Sequence, residues 1–388
     1  MACDLLFTGD IMASITLNEV CKTENGYDYN RVFSELRPIL KNADLVVGNL
    51  ETPLAGEAAR YSFAQYSFNT PDEFARQLKE DGFGLLSLAN NHCMDRGIDG
   101  LRRTIDALDT VGIAHTGAYR SKEERGNICI LKRGDINFAF LSYTYGTNAF
   151  FHHNFLPEDA QYAVNRIQPE ETLPGAIDLL ERDAVAARVH ELYEVDNPLY
   201  QSAIQPYWQQ IKEDIDLARK QGGEVIVMLL HVGGQRDAIP DAYTKYVVNR
   251  LAKMGVDAII CNHQHVLHNV SMIGHVPVVW CLGNLVYTVD AGKAYEPREM
   301  ESSLLKMRWE KINGIPRLSG MTGIPTQSVL DKNGGTAVYP LKILIDNNQG
   351  REKDRLLAVR QRNVNLLRNL PEMTPVGDCL EYSIMMMP

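Results

Sequence analysis

No stretch of this 388-residue sequence approaches eighteen uninterrupted apolar residues, so no membrane-spanning helix is expected. It also lacks a basic leader followed by an apolar core, and no signal peptide is read at its start. Cysteine is sparse and scattered. The seven thiols, Cys3, Cys21, Cys93, Cys129, Cys261, Cys281 and Cys379, are odd in number and form no CxxC pair. A disulfide scaffold is therefore not expected, and free, mostly buried thiols in a reducing, cytoplasmic setting are. Positive charge is in deficit, with 39 Lys+Arg against 49 Asp+Glu and a net charge of -10. A net anion is a poor general binder of the phosphate backbone, which removes nucleic acid as a partner. An anionic substrate would need positive charge supplied locally, and a metal is its simplest source. Internal repeats and low-complexity tracts are missing too, and nothing resembles an obligatory interdomain linker.

Apolar residues, in contrast, make up 45% of the chain, enough for a core and too many for disorder. Apolar runs alternate with amphipathic stretches, as a layered α/β protein requires. Strands are predicted at Leu5–Thr8, Leu45–Gly48, Leu85–Leu88, Glu224–Leu230, Ala258–Ile260 and Val276–Leu282, with a hairpin of Ile128–Leu131 and Ile136–Tyr143 around Gly134-Asp135. Helices are predicted over Tyr29–Leu40, Pro71–Asp81 (capped by Thr70), Gly100–Val111 and Asp241–Met254. Residues 150–221 are polar and interrupted by Pro157, Pro169, Pro174, Pro198 and Pro206, which reads as an insertion or cap over the sheet edges. Beyond residue 300 come strand-like pieces, Leu304–Trp309 and Val338–Ile345, and a basic helix near Arg355–Leu370.

One pattern recurs. Strand after strand finishes on a ligand-type side chain: Asp10, Glu51, Asn91 and His92, His231, then His263 and His265. In open α/β sheets the ligand crevice lies at the carboxyl ends of strands, so these distant residues can meet there. Carboxylate, amide oxygen and imidazole suit Zn, Mn or Fe, and a carboxylate can bridge two ions. Taken singly, each has an ordinary structural explanation: Gly9-Asp10 as a turn, Glu51 as a solvated loop residue, His231 as a hydrogen-bonded core histidine. Asn90-Asn91-His92 is less ordinary, because three polar residues directly follow a buried run. His263 and His265, two apart, would share one face of an extended segment. It is the joint occurrence that points to a site.

Four segments carry a resemblance. They are Phe7-Thr8-Gly9-Asp10-Ile11-Met12, Ala43–Pro53 with its Asn49-Leu50-Glu51-Thr52-Pro53, Ser87–Gly97 with its Ala89-Asn90-Asn91-His92, and Cys281-Leu282-Gly283-Asn284. In this order and spacing, over about residues 4–290, the chain resembles the CapA family, named for poly-γ-glutamate capsule synthesis and related to calcineurin-like metallophosphoesterases. The resemblance implies a four-layer α/β/β/α sandwich of the metallophosphoesterase type. It also implies one domain over residues 1–345, carrying the polar insertion at about 150–221, and a helical tail over 346–388. One or two divalent ions (Mn, Zn or Fe) would be held by Asp10, Glu51, Asn91, His231, His263 and His265. His92 would act as proton donor, with Asp95 fixing its tautomer. Asn49, Asn69, Asn90, Arg96 and Asn284 are candidate substrate contacts. There are departures: Asp-x-His becomes Asp10-Ile11-Met12, His-Trp-Gly-x-Glu becomes His231-Val232-Gly233-Gly234-Gln235, and His-His-Pro-His becomes Asn262-His263-Gln264-His265.

Two functions of different class follow. One is a metal-dependent hydrolase or transferase acting on a phosphoester, or on an amide of a polyanionic polymer. The other is a non-catalytic accessory protein that binds such a polymer or its synthetase. A plain α/β binding protein with incidental histidines requires that these side chains do not converge. His152 and His153, within the polar insertion, are read as unconnected with metal, and oligomeric state is left open.

Overall fold

A computed structural model describes residues 2–64, 66–170, 195–196, 198–288, 297–330 and 335–386. Part of the expected cap, residues 171–194 with Pro174, lies outside the described residues.

The chain builds two main sheets. The first has nine strands and centres on Cys3–Ile11. Leu45–Leu50, Phe83–Ser87 and Ala114–Thr116 follow it in parallel on one side. Glu301–Ile312, Ile315–Leu330 and Thr336–Pro340 extend the other side antiparallel. The second sheet has six strands, in which Ile136–Thr144, Val225–His231, Ala258–Asn262 and Val276–Val279 run parallel. Parallel strands covered on both faces read as continuous apolar runs, which is why these segments are conspicuous in the sequence.

Side-chain alternation divides the core into layers. Leu5, Phe7, Val47 and Leu85 face Phe138, Phe140, Val227, Leu229 and Ile260 between the sheets. Their neighbours Leu6, Val46 and Leu86 point outward onto Phe74, Leu78, Leu101, Ile105 and Leu108 of the helices Asp72–Asp81 and Gly97–Val111. On the opposite outer face, Leu141, Met228, Leu230 and Ile259 meet Trp208, Ile211 and Ile215 of Pro198–Lys220, and Val247 and Leu251 of Ala242–Ala252. The order helix, sheet, sheet, helix is the four-layer α/β/β/α sandwich. Among the described residues, no helix is long and apolar enough to cross a membrane.

Several elements differ from their sequence reading. Tyr29–Leu40 is not one helix: turns lead to a single helical turn at Arg37–Leu40. Pro38 has no N–H to donate to Ser34, so the turn cannot grow backwards. Val338–Ile345 changes type at Pro340, where the strand ends and a helix Leu341–Asn347 begins. The helix expected from Pro71 is capped by Pro71 itself and starts at Asp72, while Thr70 pairs its hydroxyl with Thr52 at 2.7 Å. Pro206 sits inside the continuous helix Pro198–Lys220.

One close approach sets the register at the site. Asp10 donates its N–H to the Gly283 carbonyl at 3.0 Å, and Cys3–Ile11 takes on the short parallel strand Asn284–Val286 with Asp10 opposite Asn284. A Cβ on Gly9 would stand 1.9 Å from the Gly283 oxygen, which is backbone and cannot step aside. Gly9→Ala should therefore lower stability by about 3 kcal/mol, read as a fall in the thermal or urea midpoint. An unchanged midpoint would mean that the two backbones do not touch.

Candidate metal centre

The parallel strands of both sheets run toward a common edge. There the apolar pattern gives way to polar residues that stay buried: Asp10, Asn49, Glu51, Asn90, Asn91, His92, His231, His263, His265 and Asn284 are all at most 6% exposed. Buried polar atoms need partners, and most of these find one another.

Asn49 is the hub on the first sheet. Its amide nitrogen donates to Asp10 Oδ1 at 2.8 Å and lies 3.2 Å from His231 Nδ1. Its oxygen accepts from Ser87 Oγ at 2.9 Å and from Asn90 Nδ2 at 3.3 Å. Asn90 in turn fixes the following loop, donating to the Leu50 carbonyl and accepting the His92 N–H. From the second sheet, His231 Nε2 lies 2.7 Å from Asn91 Oδ1, 3.3 Å from Glu51 Oε1 and 3.0 Å from His263 Nδ1. His265 Nδ1 sits between Asn284 Oδ1 at 2.9 Å and Asp10 Oδ2 at 3.3 Å, and its Nε2 is 3.9 Å from Glu51. The result is two adjoining triads, Asp10–Glu51–His265 and Glu51–His231–His263, each with ligand atoms within 4.8 Å of one another. Glu51 is common to both.

The two histidines of the His-x-His do not lie on an extended segment as expected. The strand ends at Asn262, and His263 and His265 both have positive φ, 107° and 61°. Left-handed backbone at a non-glycine residue costs of order 1 kcal/mol or more and persists only where the surroundings enforce it. Here the His263 N–H is held by Asp10 Oδ2 at 3.1 Å. The kinked backbone, not strand periodicity, turns both rings inward.

Electrostatics mark Glu51 as the unusual group. Neither of its oxygens accepts a hydrogen bond among the described residues. Burial, together with the nearby Asp10, pushes its carboxyl well above the ordinary range. Asp10 is buried as deeply, yet the hydrogen bond from His265 and the surrounding imidazoles hold it below its usual value. Burial depresses His231 to about 3, so its ring is neutral. His265 goes the other way: burial would lower it, but Glu51 and Asp10 outweigh that and raise it to about 9. Two buried carboxylates, one without hydrogen bonds, among three imidazoles and an amide oxygen form a donor set that fits a divalent cation.

Beside this cluster, His92 places Nδ1 2.8 Å from Asp95 Oδ2, an oxygen that also accepts the Phe68 N–H at 2.8 Å. Burial keeps the His92 ring below its usual value in spite of Asp95. Asn284 orients His265 from both ends, since its amide nitrogen also donates to the His265 carbonyl.

Two predicted contacts are engaged within the protein itself. Asn69 accepts from the Ala55 N–H and donates to the Gly56 and Arg60 carbonyls. Arg96 donates to Ala59, Arg60 and Ser67. Both spend their hydrogen bonds on the loop between Leu54 and Phe68. Residues that the sequence reading passed over do reach the site. The Tyr145 ring packs on His263 with centroids 4.8 Å apart, and Asn148 Oδ1 lies 3.4 Å from Asn91 Nδ2. They follow the strand Ile136–Thr144, so the strand-end rule, applied once more, points to them.

A family model described as "Bacterial capsule synthesis protein PGA_cap" matches residues 4–288. The capsule biosynthesis protein CapA of Bacillus anthracis is 26% identical over 340 residues, covering 85% of this chain and 71% of that protein. The PGA biosynthesis protein CapA of Bacillus subtilis (strain 168) is 24% identical over 313 residues, covering 80% and 68%. Among solved structures, a calcineurin-like phosphoesterase from Bacillus subtilis is similar with a TM-score of 0.46 at 14% identity, over 93% of this chain and 96% of that one.

The charge pattern makes a pH prediction for metal-free protein. His265 binds its proton more tightly folded than unfolded, so its stabilising contribution is complete below about pH 6.5 and is lost as pH rises through about 9. Glu51, raised by burial, acts in the same direction above its unfolded value of about 4.3. Chelator-treated protein should lose melting temperature between pH 6.5 and 9, and His265→Gln should flatten that slope. A wild-type melting temperature that holds level across the window would contradict the assignment.

Proposed function

This chain belongs to the bacterial capsule synthesis protein family, PGA_cap, and from that premise we propose that it is a metal-dependent hydrolase acting on an anionic substrate. The observation that carries the proposal is the pair of triads around Glu51, a buried carboxylate with no hydrogen-bond donor among the described residues. Asp10, Glu51 and His265 would hold one ion; Glu51, His231 and His263, with the Asn91 amide oxygen, would hold a second. When bound, such ions (Mn, Zn or Fe) supply Lewis acidity and a water of lowered pKa. The fit is supported by donor chemistry, since the same mixture of carboxylate and imidazole suits each of these metals.

The side chains divide the remaining work. Asn49 and Asn284 orient Asp10, His231 and His265 through their amides. With Nδ1–H committed to Asp95, His92 would deliver the proton to the leaving group from Nε2. Asn90 holds the loop that carries His92. The substrate would be a phosphoester, or an amide of a polyanion of the poly-γ-glutamate kind. The second choice is supported by the names of the CapA relatives, which belong to capsule and PGA biosynthesis.

Elemental analysis and two variants test this. Purified protein should carry one or two equivalents of a divalent metal and hydrolyse some member of a phosphoester and γ-glutamyl panel. His265→Ala should lose metal and activity together. His92→Ala should keep its metal and lose about 100-fold or more in kcat. Metal-free wild-type protein, inactive across the panel, would refute the hydrolase and leave the accessory, polymer-binding role.

A further inference from the structure

Outside the triads around Glu51, one more close group of histidine and acidic side chains converges among the described residues: His92, Asp95 and His152. His152 comes from the polar stretch after Thr144, in which the sequence offered no reason to connect it with the site. Its Nε2 stands 3.1 Å from Asp95 Oδ1. Asp95 is fully buried, and His92 and His152 expose only 3% and 11% of their side chains. Both atoms are buried and neither completes a well-aligned hydrogen bond among the described residues, so the ion-pair contact at 3.1 Å is what they make with each other.

The backbone around His152 is shaped to bring it there. The single helical turn Ala149–His152 is bounded by Asn148 and His153, both left-handed, with φ of 53° and 55°. Two such residues five apart persist only when the surroundings over-determine them. Three contacts lay this turn across the Asn91–Asp95 loop: Asn148 to the Asn91 amide, Asn154 Nδ2 to the Met94 carbonyl at 3.1 Å, and His152 to Asp95. Upstream, Thr147 is tied by its hydroxyl to Glu170 at 2.9 Å. Downstream, Leu156 is anchored in the core. The turn thus holds the loop that bears both Asn91 and His92.

We infer that His152 is a positioning residue for His92. Its ring nitrogen, in ion-pair contact with Oδ1, holds the Asp95 carboxylate so that Oδ2 faces His92 Nδ1, which fixes the His92 ring with Nε2 as the nitrogen that delivers the proton. Asp95 Oδ2 is held at hydrogen-bond distance by the Phe68 N–H and His92 Nδ1, which favours a positioning contact over a third cation site. The inference rests on the proposal that His92 is the proton donor, but its structural half can be tested without turnover.

The test uses the full chain labelled with 15N-histidine. His152→Phe keeps a ring against Phe151 and removes the donor; His152→Gln keeps a donor. In wild type and His152→Gln, the His92 Nδ1–H should give a slowly exchanging downfield proton resonance. In His152→Phe that resonance should exchange with water roughly tenfold faster or more, at unchanged metal content. On an alkyl phosphodiester, which needs leaving-group protonation, kcat of His152→Phe should fall roughly tenfold with KM unchanged, the loss should be smaller on bis(4-nitrophenyl) phosphate, and His152→Gln should restore it. If His152→Phe melts below wild type, His152→Ala, which adds no bulk, carries the same expectations. An unaltered His92 resonance in the donor-less variants overturns the inference, and so does the loss of one metal equivalent in them. A wild type that hydrolyses nothing refutes the proposed activity, while the resonance still decides the positioning role.

Discussion

The structure turns on a carboxylate with nothing to satisfy it. Glu51 is wholly buried at the meeting of two sheets, and neither oxygen receives a hydrogen bond among the described residues. An ionised group in that position costs several kcal/mol unless positive charge is close by. The protein supplies part of that charge through His265, which Glu51 and Asp10 together keep protonated to about pH 9. The rest of the site is arranged about this imbalance. Asn49, Asn90 and Asn284 are spent on fixing Asp10, the His92 loop and His265, and leave Glu51 itself without a hydrogen bond among the described residues. Such an arrangement costs stability by itself and suits a cation site.

Much of this was legible in the sequence, for a physical reason. Parallel strands sheathed on both faces must be apolar throughout, so the residue at which each run breaks is also the residue at the sheet edge. Asp10, Glu51, Asn91 and His231 could be picked out by that rule because each stands at or within two residues of the end of such a run. Their meeting shows in the contacts between the two sheets, Asn49 Nδ2 beside His231 Nδ1 and the His263 N–H on Asp10 Oδ2.

What stayed hidden depended on backbone geometry and on long-range hydrogen bonds. His263 and His265 were found, but for the wrong reason: a spacing of two suggests one face of a strand, whereas the chain kinks at both residues. Asn69 and Arg96 have the chemistry of substrate contacts, and only the coordinates show it consumed by the carbonyls of a neighbouring loop. His152 was set aside because its surroundings in sequence are polar and its partner, Asp95, is 57 positions away. Pro340 is the opposite case, a local signal that outweighs an apolar run and converts the end of a strand into a helix.

The donors of the two triads come from both sheets: Asp10 and Glu51 from the first, His231, His263 and His265 from the second. An ion seated between them would act as a rivet through the sandwich, joining chain segments 180 or more residues apart. Occupancy would then favour the folded over the unfolded chain by mass action. With an ion so bound, the supply of metal in the surroundings would set how long each molecule endures.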